Sequence, residues 1–306
     1  MKQSFYSNGK LLITGEYLVL DGAEALAVPT KFGQTLDILP QEKKFLHWKS
    51  FDIHYEMWFE TDIYWKEIFD NETMINFSET KKTLLKILHH AWKQNPNANI
   101  INQGFEVETH LSFPRNWGLG TSSTLINNIA KWFQVDPFQL LNESFGGSGY
   151  DIACADAKNP IVYQRINQEP FFKNVDFNPV FKQHIYFVYL NQKQNSNAQI
   201  ASYESKRQES RHKIPEINVL TNKIIDCKDE LEFQMLIQSH EAILSQILGM
   251  RTLQESFFSD FEGVVKSLGA WGGDFVLVHS KWNPKEYFQN KGFHTILSFE
   301  EMCLGF

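Results

Sequence analysis

Cysteine is scarce in this sequence, and long apolar runs are absent. The 306 residues include three cysteines, Cys154, Cys227 and Cys303, which share no short spacing. This pattern argues against a disulfide framework and against a cysteine-based zinc site, and it is typical of a reducing compartment. No apolar run approaches the ~20 residues that span a bilayer, and the N-terminal "MKQSFYSNGK" lacks a signal-peptide core. We therefore expect a cytoplasmic protein with no membrane partner.

A surplus of positive charge is also missing. Lysine and arginine number 29 against 36 aspartate and glutamate residues, which gives a net charge of −7. Duplex DNA binders normally carry a basic footprint, so we expect no nucleic-acid partner. A small anionic ligand would have to be held by local cations, a helix N-terminus or a metal ion. The ten histidines form no metalloprotease pattern, because Leu244 stands where "SHEAIL" would need a second histidine.

The sequence does contain the composition of a globular protein, with 42% apolar and 21% charged residues. Alternating apolar residues predict strands over residues 51–59 and 105–111, and an apolar residue at every fourth position predicts a helix over 79–93. The short runs "KLLIT", "YLVL" and "ALAV" predict further strands. Asp136-Pro137 predicts a helix start, with Asp as the N-cap and Pro in the first turn.

The second half of the chain mixes the same signals. "YDIACADA" predicts a short helix, and "PIVYQRI" and "HIYFVYL" predict strands. Residues 198–268 are expected to be mostly helical, with breaks near Pro215 and Gly249, and "GAWGGDFVLVH" is expected to be a glycine loop that enters a strand. Strands followed by helices, without steady βαβ alternation, predict an α+β fold.

The segment "PRNWGLGTSST" places four consecutive hydroxyl residues directly after Gly-Leu-Gly, at the start of an apolar periodic segment. The first turn of a helix carries unpaired N–H groups and the positive end of the helix dipole. Glycines let the backbone approach a ligand, and hydroxyls can donate to phosphate or ligate magnesium. Two interpretations stay open here: a phosphate cradle, or a glycine turn followed by an ordinary N-cap.

Two further glycine loops and one lysine stand out. "GGSGYD" places Asp151 at the start of a predicted helix, where its carboxylate is either a functional group or a helix cap. "GAWGGD" precedes a strand and, taken alone, is a tight turn. Lys10 precedes an apolar strand in "NGKLLITGEYLVLDG" and is either held at a strand end or solvated.

Taken together and in this order, the four segments resemble the motifs of the GHMP kinases, the group that contains galactokinase, homoserine kinase, mevalonate kinase and phosphomevalonate kinase. "GKLLITGEYLVLDG" is similar to their first motif, and "PRNWGLGTSST" is similar to their second. "GSGYDIACA" is similar to the stretch with the catalytic aspartate, and "KSLGAWGGDFVLV" to the last motif. The chain departs from the pattern at Asn8, Thr121, Thr124 and Trp271, and it lacks Tyr-Gly after Asp151.

The resemblance implies a two-domain α+β fold, with an N-terminal nucleotide-binding and catalytic domain over residues 1–178 and a ferredoxin-like C-terminal domain over residues 179–306. It also implies ATP and Mg²⁺ as cofactors, a small anionic acceptor, and a monomer or homodimer. The motif details favour phosphomevalonate as the acceptor, with mevalonate as the alternative. A nucleotide-binding homologue without catalysis, and a structural protein whose glycine loops are turns, stay open as well.

The resemblance further implies roles for individual residues. Asp151 would take or orient the acceptor's proton, and Lys10 would pair with Asp151 and stabilise charge on the transferring phosphoryl group. Ser122 would ligate magnesium, with Glu143 as a candidate second ligand. The residues expected to bind ATP are Pro114, Gly118, Leu119, Gly120, Thr121, Ser122, Ser123 and Thr124. The residues expected to bind the acceptor are Glu16, Ser148, Gly149, Lys193, Ser196, Gly269, Gly272, Gly273 and Asp274, with Arg115 as a further candidate.

Overall fold

The computed structural model describes residues 1–70, 77–192 and 203–305. The chain divides into two compact units. Unit 1 comprises Met1–Gly9, Phe32–Arg115 and Leu119–Asp156, and unit 2 comprises Lys10–Lys31, Asn116–Gly118 and Ala157–Phe306. Each unit therefore takes several separate stretches of chain, and the domain boundary expected between residues 178 and 179 stays a prediction.

Strands and helices follow one another irregularly along the chain. The strands are β1 (Gln3–Leu12), β2 (Ala25–Gln41), β3 (Phe45–Phe51), β4 (Met57–Tyr64), β5 (Gly104–Leu111), β6 (Ile161–Ile166), β7 (Glu169–Asn174), β8 (Ile185–Tyr189), β9 (Val264–Ser267), β10 (Phe275–His279) and β11 (Ile296–Ser298). The helices are α1 (Trp65–Phe69), α2 (Glu79–Gln94), α3 (Thr121–Phe133), α4 (Pro137–Ser144), α5 (Tyr150–Ala155), α6 (Arg207–Ser210), α7 (Ile214–Asp226), α8 (Glu230–Leu248), α9 (Leu253–Phe257), α10 (Lys285–Asn290) and α11 (Phe299–Met302). None of these helices is long and apolar enough to cross a bilayer.

Unit 1 is built on a sheet in the order β4-β3-β5-β2. β3 pairs antiparallel with β4 and parallel with β5, and residues 34–41 of β2 pair antiparallel with β5. Alternate strand residues such as Trp48 and Val107 enter a core that also contains Leu88 of α2 and Ile129 of α3. Packing on this sheet fixes α3 in unit 1.

Buried polar side chains fix the position of α3 further. Asn128 donates its amide to the carbonyl of Gln34 at 2.9 Å, and it accepts a hydrogen bond from Ser7 Oγ at 2.7 Å. Both side-chain partners are buried, so each bond is costly to lose. The N-terminus of α3 is thereby held in a defined place within its unit.

Unit 2 contains an antiparallel sheet in the order β11-β8-β10-β9. Val188, Val276 and Phe288 lie in its apolar core. A hairpin of β6 and β7 pairs with residues 25–27 of β2. The predicted strands β6, β8 and β10 are therefore confirmed.

The alternating segment 51–59 is not one strand, contrary to the sequence pattern. The Asp52 carboxylate accepts hydrogen bonds from the backbone N–H groups of His54 (2.8 Å) and Glu56 (3.0 Å). These bonds close a turn between β3 and β4, with Tyr55 at a φ of 61°. A short aspartate side chain thus outweighs the alternation, because it offers the backbone a local acceptor.

Two other local predictions are also wrong. "YLVL" forms a single 3-10 turn, Leu18–Asp21, after Tyr17 at a φ of 63°. The break predicted near Pro215 is confirmed: α7 begins at Ile214 after a separate turn, with Pro215 in its first turn, where its missing N–H leaves no bond unmade. Residues 264–267 form β9 rather than helix. The Asp136 N-cap and the end of α8 at Gly249 are confirmed.

Candidate functional site

The N-terminus of α3 presents backbone N–H groups without acceptors. Gly120 is the N-cap at φ 96° and ψ 44°, a left-handed conformation natural to glycine, and no side chain caps the helix. The N–H groups of residues 121–123 have no acceptor in the described part of the chain, whereas that of Thr124 bonds to the Gly120 carbonyl at 2.9 Å. Leu119 is fully buried and anchors the preceding turn. With the positive end of the helix dipole, this arrangement attracts an anion.

The four consecutive hydroxyls divide into an inner and an outer pair. Ser123 Oγ donates to the Gly120 carbonyl at 2.9 Å, and Thr124 Oγ1 lies 3.0 Å from the same oxygen. Both inner side chains are buried, and the Thr124 N–H is already bonded to Gly120, so of the inner pair only the Ser123 N–H can serve a ligand. Thr121 is partly exposed and Ser122 is exposed. The outer pair therefore supplies the hydroxyls that a phosphate or a magnesium ion could contact.

Lys10, Gly118 and Asp274 come from three different motifs and meet within unit 2. Lys10 Nζ donates to the Gly118 carbonyl at 2.8 Å. Gly118 has a φ of 68°, and a Cβ there would lie 2.1 Å from Asp274 Oδ2. Only glycine fits, because the carboxylate packs against the bare Cα. An ammonium and a carboxylate thus flank the loop two residues before the N-cap of α3.

Aromatic side chains hold the same loop from within unit 2. The Trp117 ring meets Phe275 edge-to-face, with centroids 5.4 Å apart, and Tyr189 donates its hydroxyl to the Asn116 carbonyl at 3.1 Å. Burial and the nearby charge of Asp274 raise the pKa of Tyr189, so it stays a neutral donor. Sequence reasoning missed Tyr189 and Phe275, since each lies in an ordinary apolar strand and nothing local marks it.

Trp271, which stands where the resembled motif has glycine, packs inside unit 2. It is 2% exposed; its backbone N–H donates to Tyr17 Oη at 2.8 Å and its indole to the Arg251 carbonyl at 3.3 Å. The ring is therefore a core residue rather than a stacking platform for a ligand. Gly269 and Gly272 have φ values of 68° and 82°, which supply the turns on either side of it. The roles of Gly269, Gly272, Gly273 and Asp274 in acceptor binding stay predictions.

Glu16, which is predicted to bind substrate, lies in a buried ion pair, and its role in substrate binding stays a prediction. It is 2% exposed and forms an ion pair with Lys266, which is itself fully buried. Glu241 Oε2 lies 3.9 Å from the same ammonium, and its Oε1 accepts a hydrogen bond from Ser267 N–H at 3.0 Å. Two carboxyl groups thus share one buried cation and join the first motif to α8 and β9. The sequence feature that could have indicated this buried ion pair is the lysine inside the apolar run "VVKS".

We expect the stability of the folded chain to fall as the pH rises, because of Glu241. Burial raises the pKa of Glu241 to about 8, against an ordinary value of 4.5. Between these values the folded state keeps a proton that the unfolded state has lost, so this group lowers the free energy of unfolding by about 1 kcal/mol per pH unit. Urea unfolding between about pH 6.5 and pH 8 measures the slope, because below that range the buried His240, whose pKa burial lowers, contributes a slope of the opposite sign. Glu241→Gln should flatten it, and an equal slope in that variant would contradict the assignment.

Asp151 lies in the first turn of α5, after Gly149, which caps that helix at a φ of 91°. The side chain is partly exposed, and Oδ1 accepts a hydrogen bond from the N–H of Ile152 at 3.1 Å. Ile152 and Ile126 of α3 belong to one core, so unit 1 fixes both helices. Lys10 belongs to unit 2. The expected pairing of Lys10 with Asp151 stays a prediction.

The structure does not bring Glu143 to Ser122. Glu143 accepts a hydrogen bond from the side chain of Gln94, at the end of α2, at 3.1 Å. The next residue, Asn95, donates to the carbonyl of Phe133, the last residue of α3. Ser122 lies at the opposite end of this helix, about 16 Å away along its axis. A magnesium site shared by the two residues therefore has no geometric support.

The remaining candidates differ in what surrounds them. Arg115 is exposed, and its guanidinium stacks on the Trp58 ring with Cζ 3.5 Å from the centroid, which leaves a cation on the surface of unit 1. Lys193 and Ser196 lie outside the described residues. The roles expected for Pro114, Ser148 and Gly149 stay predictions.

Neither a family model nor a curated protein matches the sequence. Solved structures match it over nearly the whole chain. Phosphomevalonate kinase from Streptococcus pneumoniae, in complex with phosphomevalonate and AMPPNP, has a TM-score of 0.71 at 15% identity and covers 97% of this chain and 100% of its own. Mevalonate kinase from Methanococcus jannaschii has a TM-score of 0.69 at 14% identity, with 99% and 98% covered. Galactokinase from Lactococcus lactis, complexed with galactose, has a TM-score of 0.72 at 13% identity, with 99% and 94% covered.

These structural neighbours belong to the GHMP kinases, the group that the four sequence motifs resemble. At identities of 13–15% the likeness is one of fold. The chain therefore has the α+β fold that mevalonate kinase, phosphomevalonate kinase and galactokinase share, and the predicted fold class is confirmed.

Proposed function

We propose that this chain is an ATP-dependent phosphotransferase that transfers the γ-phosphoryl group to a small anionic acceptor. The N-terminus of α3 carries the proposal, because the N–H groups of residues 121–123 follow a left-handed Gly120 and have no acceptor in the described chain. Such a helix end binds phosphate oxygens. The fold shared with kinases, one of them solved with AMPPNP, supports ATP as the phosphate donor.

In this proposal Ser122, Lys10 and Asp151, which belong to three different motifs, have separate tasks. Ser122 ligates magnesium; its exposed hydroxyl fits that ion, which takes one or two protein oxygens beside substrate phosphates. The ion supplies neutralisation of phosphate charge. Lys10 holds the Gly118 carbonyl and so fixes the loop that leads into α3. Asp151 takes or orients the proton of the acceptor, and its position on a packed helix keeps the carboxylate in place.

The acceptor we propose is phosphomevalonate, with mevalonate as the alternative. A phosphorylated acceptor needs a local cation, since the chain carries a net charge of −7, and Arg115 on Trp58 is one such group. One of the structural neighbours is a phosphomevalonate kinase solved with phosphomevalonate. The first and last sequence motifs favour the same acceptor.

A screen of ADP formation over phosphomevalonate, mevalonate, homoserine and galactose tests this choice. We expect the highest kcat/KM with phosphomevalonate, and a loss of that preference in Arg115→Gln, because the amide cannot neutralise the acceptor's phosphate. A clear preference for mevalonate or a sugar would refute the acceptor but not the kinase function. ATP binding with no turnover on any acceptor would favour a nucleotide-binding protein without catalysis.

A further inference from the structure

Three side chains that the proposed kinase function does not use meet at one end of the antiparallel sheet of unit 2. His184 directly precedes β8, His279 ends β10, and Glu230 begins α8. Glu230 Oε1 lies 2.6 Å from His184 Nδ1 and 2.9 Å from His279 Nε2. One donor atom from each residue lies within 4.8 Å of the other two. Two imidazoles and a carboxylate are a ligand set that zinc takes in proteins.

His279 supplies an independent observation. The residue is fully buried, and its Nε2 makes no hydrogen bond of good geometry in the described chain, although Glu230 Oε1 lies 2.9 Å away. Its other nitrogen, Nδ1, lies 2.9 Å from the side-chain amide of Gln234. In this structure the amide nitrogen faces Nδ1, so a bound metal requires the Gln234 amide to turn its oxygen toward Nδ1–H, which leaves the lone pair of Nε2 facing the Glu230 carboxylate. The lone pair of His279 Nε2 and the Glu230 oxygen repel each other at this distance, and a cation bound between them removes that repulsion.

We infer that His184, Glu230 and His279 bind one divalent transition-metal ion, with zinc the best fit and water at the fourth position. Ligands at ~2.0 Å from a tetrahedral zinc ion stand roughly 3.3 Å apart, so the side chains need only small adjustments. Imidazole and carboxylate together suit zinc better than magnesium or calcium, which prefer oxygen ligands alone. His184 and Glu230 keep 28% and 22% of their side chains exposed, which gives the ion a path of entry.

The position of this site separates it from the glycine loop of unit 2 that ends at Asp274. In the register of β8 with β10, His279 pairs with Ile185 and Phe275 pairs with Tyr189. The site therefore lies at the opposite end of β10 from Asp274, about 17 Å along the strand. An ion there ties the start of α8 to two strands, so it stabilises the fold of unit 2 rather than taking part in phosphoryl transfer.

Zinc titration of the full chain, made without a histidine tag and stripped with a chelator, tests the inference. We expect one Zn²⁺ per chain by calorimetry and a rise in Tm when the ion is added. His184→Ala should weaken zinc affinity about 100-fold or more, since even a residue that only orients a ligand is worth 10–100-fold. Gln234→Leu, which removes the partner of His279 Nδ1, should weaken zinc affinity by about 10–100-fold.

The controls distinguish this site from adventitious binding by surface histidines. His294 is exposed and outside the cluster, so His294→Ala should bind zinc as the unchanged chain does. Glu230→Gln keeps the size of the side chain and provides a second ligand variant should His184→Ala misfold. An unchanged affinity in the folded ligand variants, or no binding at a tenfold excess of Zn²⁺, would overturn the inference. Magnesium-dependent activity is not needed for any of these readouts.

Discussion

Replacing Gly120 by valine is expected to abolish ATP binding while the chain stays folded. Gly120 stands at φ 96° as the N-cap of α3, where a β-branched residue is strongly strained. Relief of that strain turns the following N–H groups away from the phosphates, and the new side chain occupies the approach to them. We expect ATP affinity to fall by about 100-fold or more, which corresponds to roughly 3 kcal/mol. Calorimetric titration of the purified variant measures it, with circular dichroism as the check of folding.

A matched control separates the loss of the phosphate cradle from backbone strain. Gly292 has a comparable φ of 89°, and a Cβ there would meet nothing within 4 Å. Gly292→Val should therefore introduce similar strain and leave ATP affinity unchanged. Gly120→Ala, with its smaller side chain, should give an intermediate loss. If Gly120→Val binds ATP normally, the helix N-terminus is an ordinary capped turn and the phosphate cradle is wrong.

The sequence correctly predicted the helices that are specified by residues close together in the chain, through apolar periodicity or an N-cap side chain. α2 follows from the periodicity of its apolar residues, and α4 from an Asp136 cap whose carboxylate accepts from the N–H groups of Phe138 and Gln139. The strand predicted over residues 51–59 failed because Asp52 makes hydrogen bonds to the backbone that hydrophobic alternation cannot reveal. The break near Pro215 was predicted correctly because proline is favoured in the first turn of a helix, and α7 begins there.

The candidate site was predictable only as separate pieces. Gly120 and the hydroxyls after it form one continuous stretch, so their cap geometry follows from local chemistry. The meeting of Lys10 with Gly118 joins residues 108 positions apart, and the burial of Glu16 depends on Lys266, 250 positions away. No propensity or spacing encodes such contacts, which arise from packing. The family resemblance gave the order of the motifs, and the role that it implies for Glu16 stays a prediction.

Asp151→Asn is expected to lower kcat by about 10²–10⁴-fold, the usual contribution of a positioned general base. Asparagine keeps the size of the side chain and an oxygen that can still accept the N–H of Ile152, so α5 should persist. What is lost is the negative charge that accepts or orients the acceptor's proton. ATP affinity should change little, because the proposed phosphate site is at α3, a different helix. Steady-state kinetics and ATP titration of the same preparation measure both quantities.

A second aspartate in unit 1 provides the control for a purely structural role. Asp136 caps α4 and accepts from the N–H of Phe138 at 2.7 Å, and asparagine is an equally good cap. Asp136→Asn should therefore leave kcat, ATP affinity and Tm close to those of the unchanged chain. If Asp151→Asn behaves like Asp136→Asn, the carboxylate of Asp151 is a helix cap, and the group that handles the acceptor's proton lies elsewhere. A large kcat loss with normal ATP affinity and Tm instead places the charge of Asp151 in the reaction itself, because neither folding nor nucleotide binding would then account for the loss.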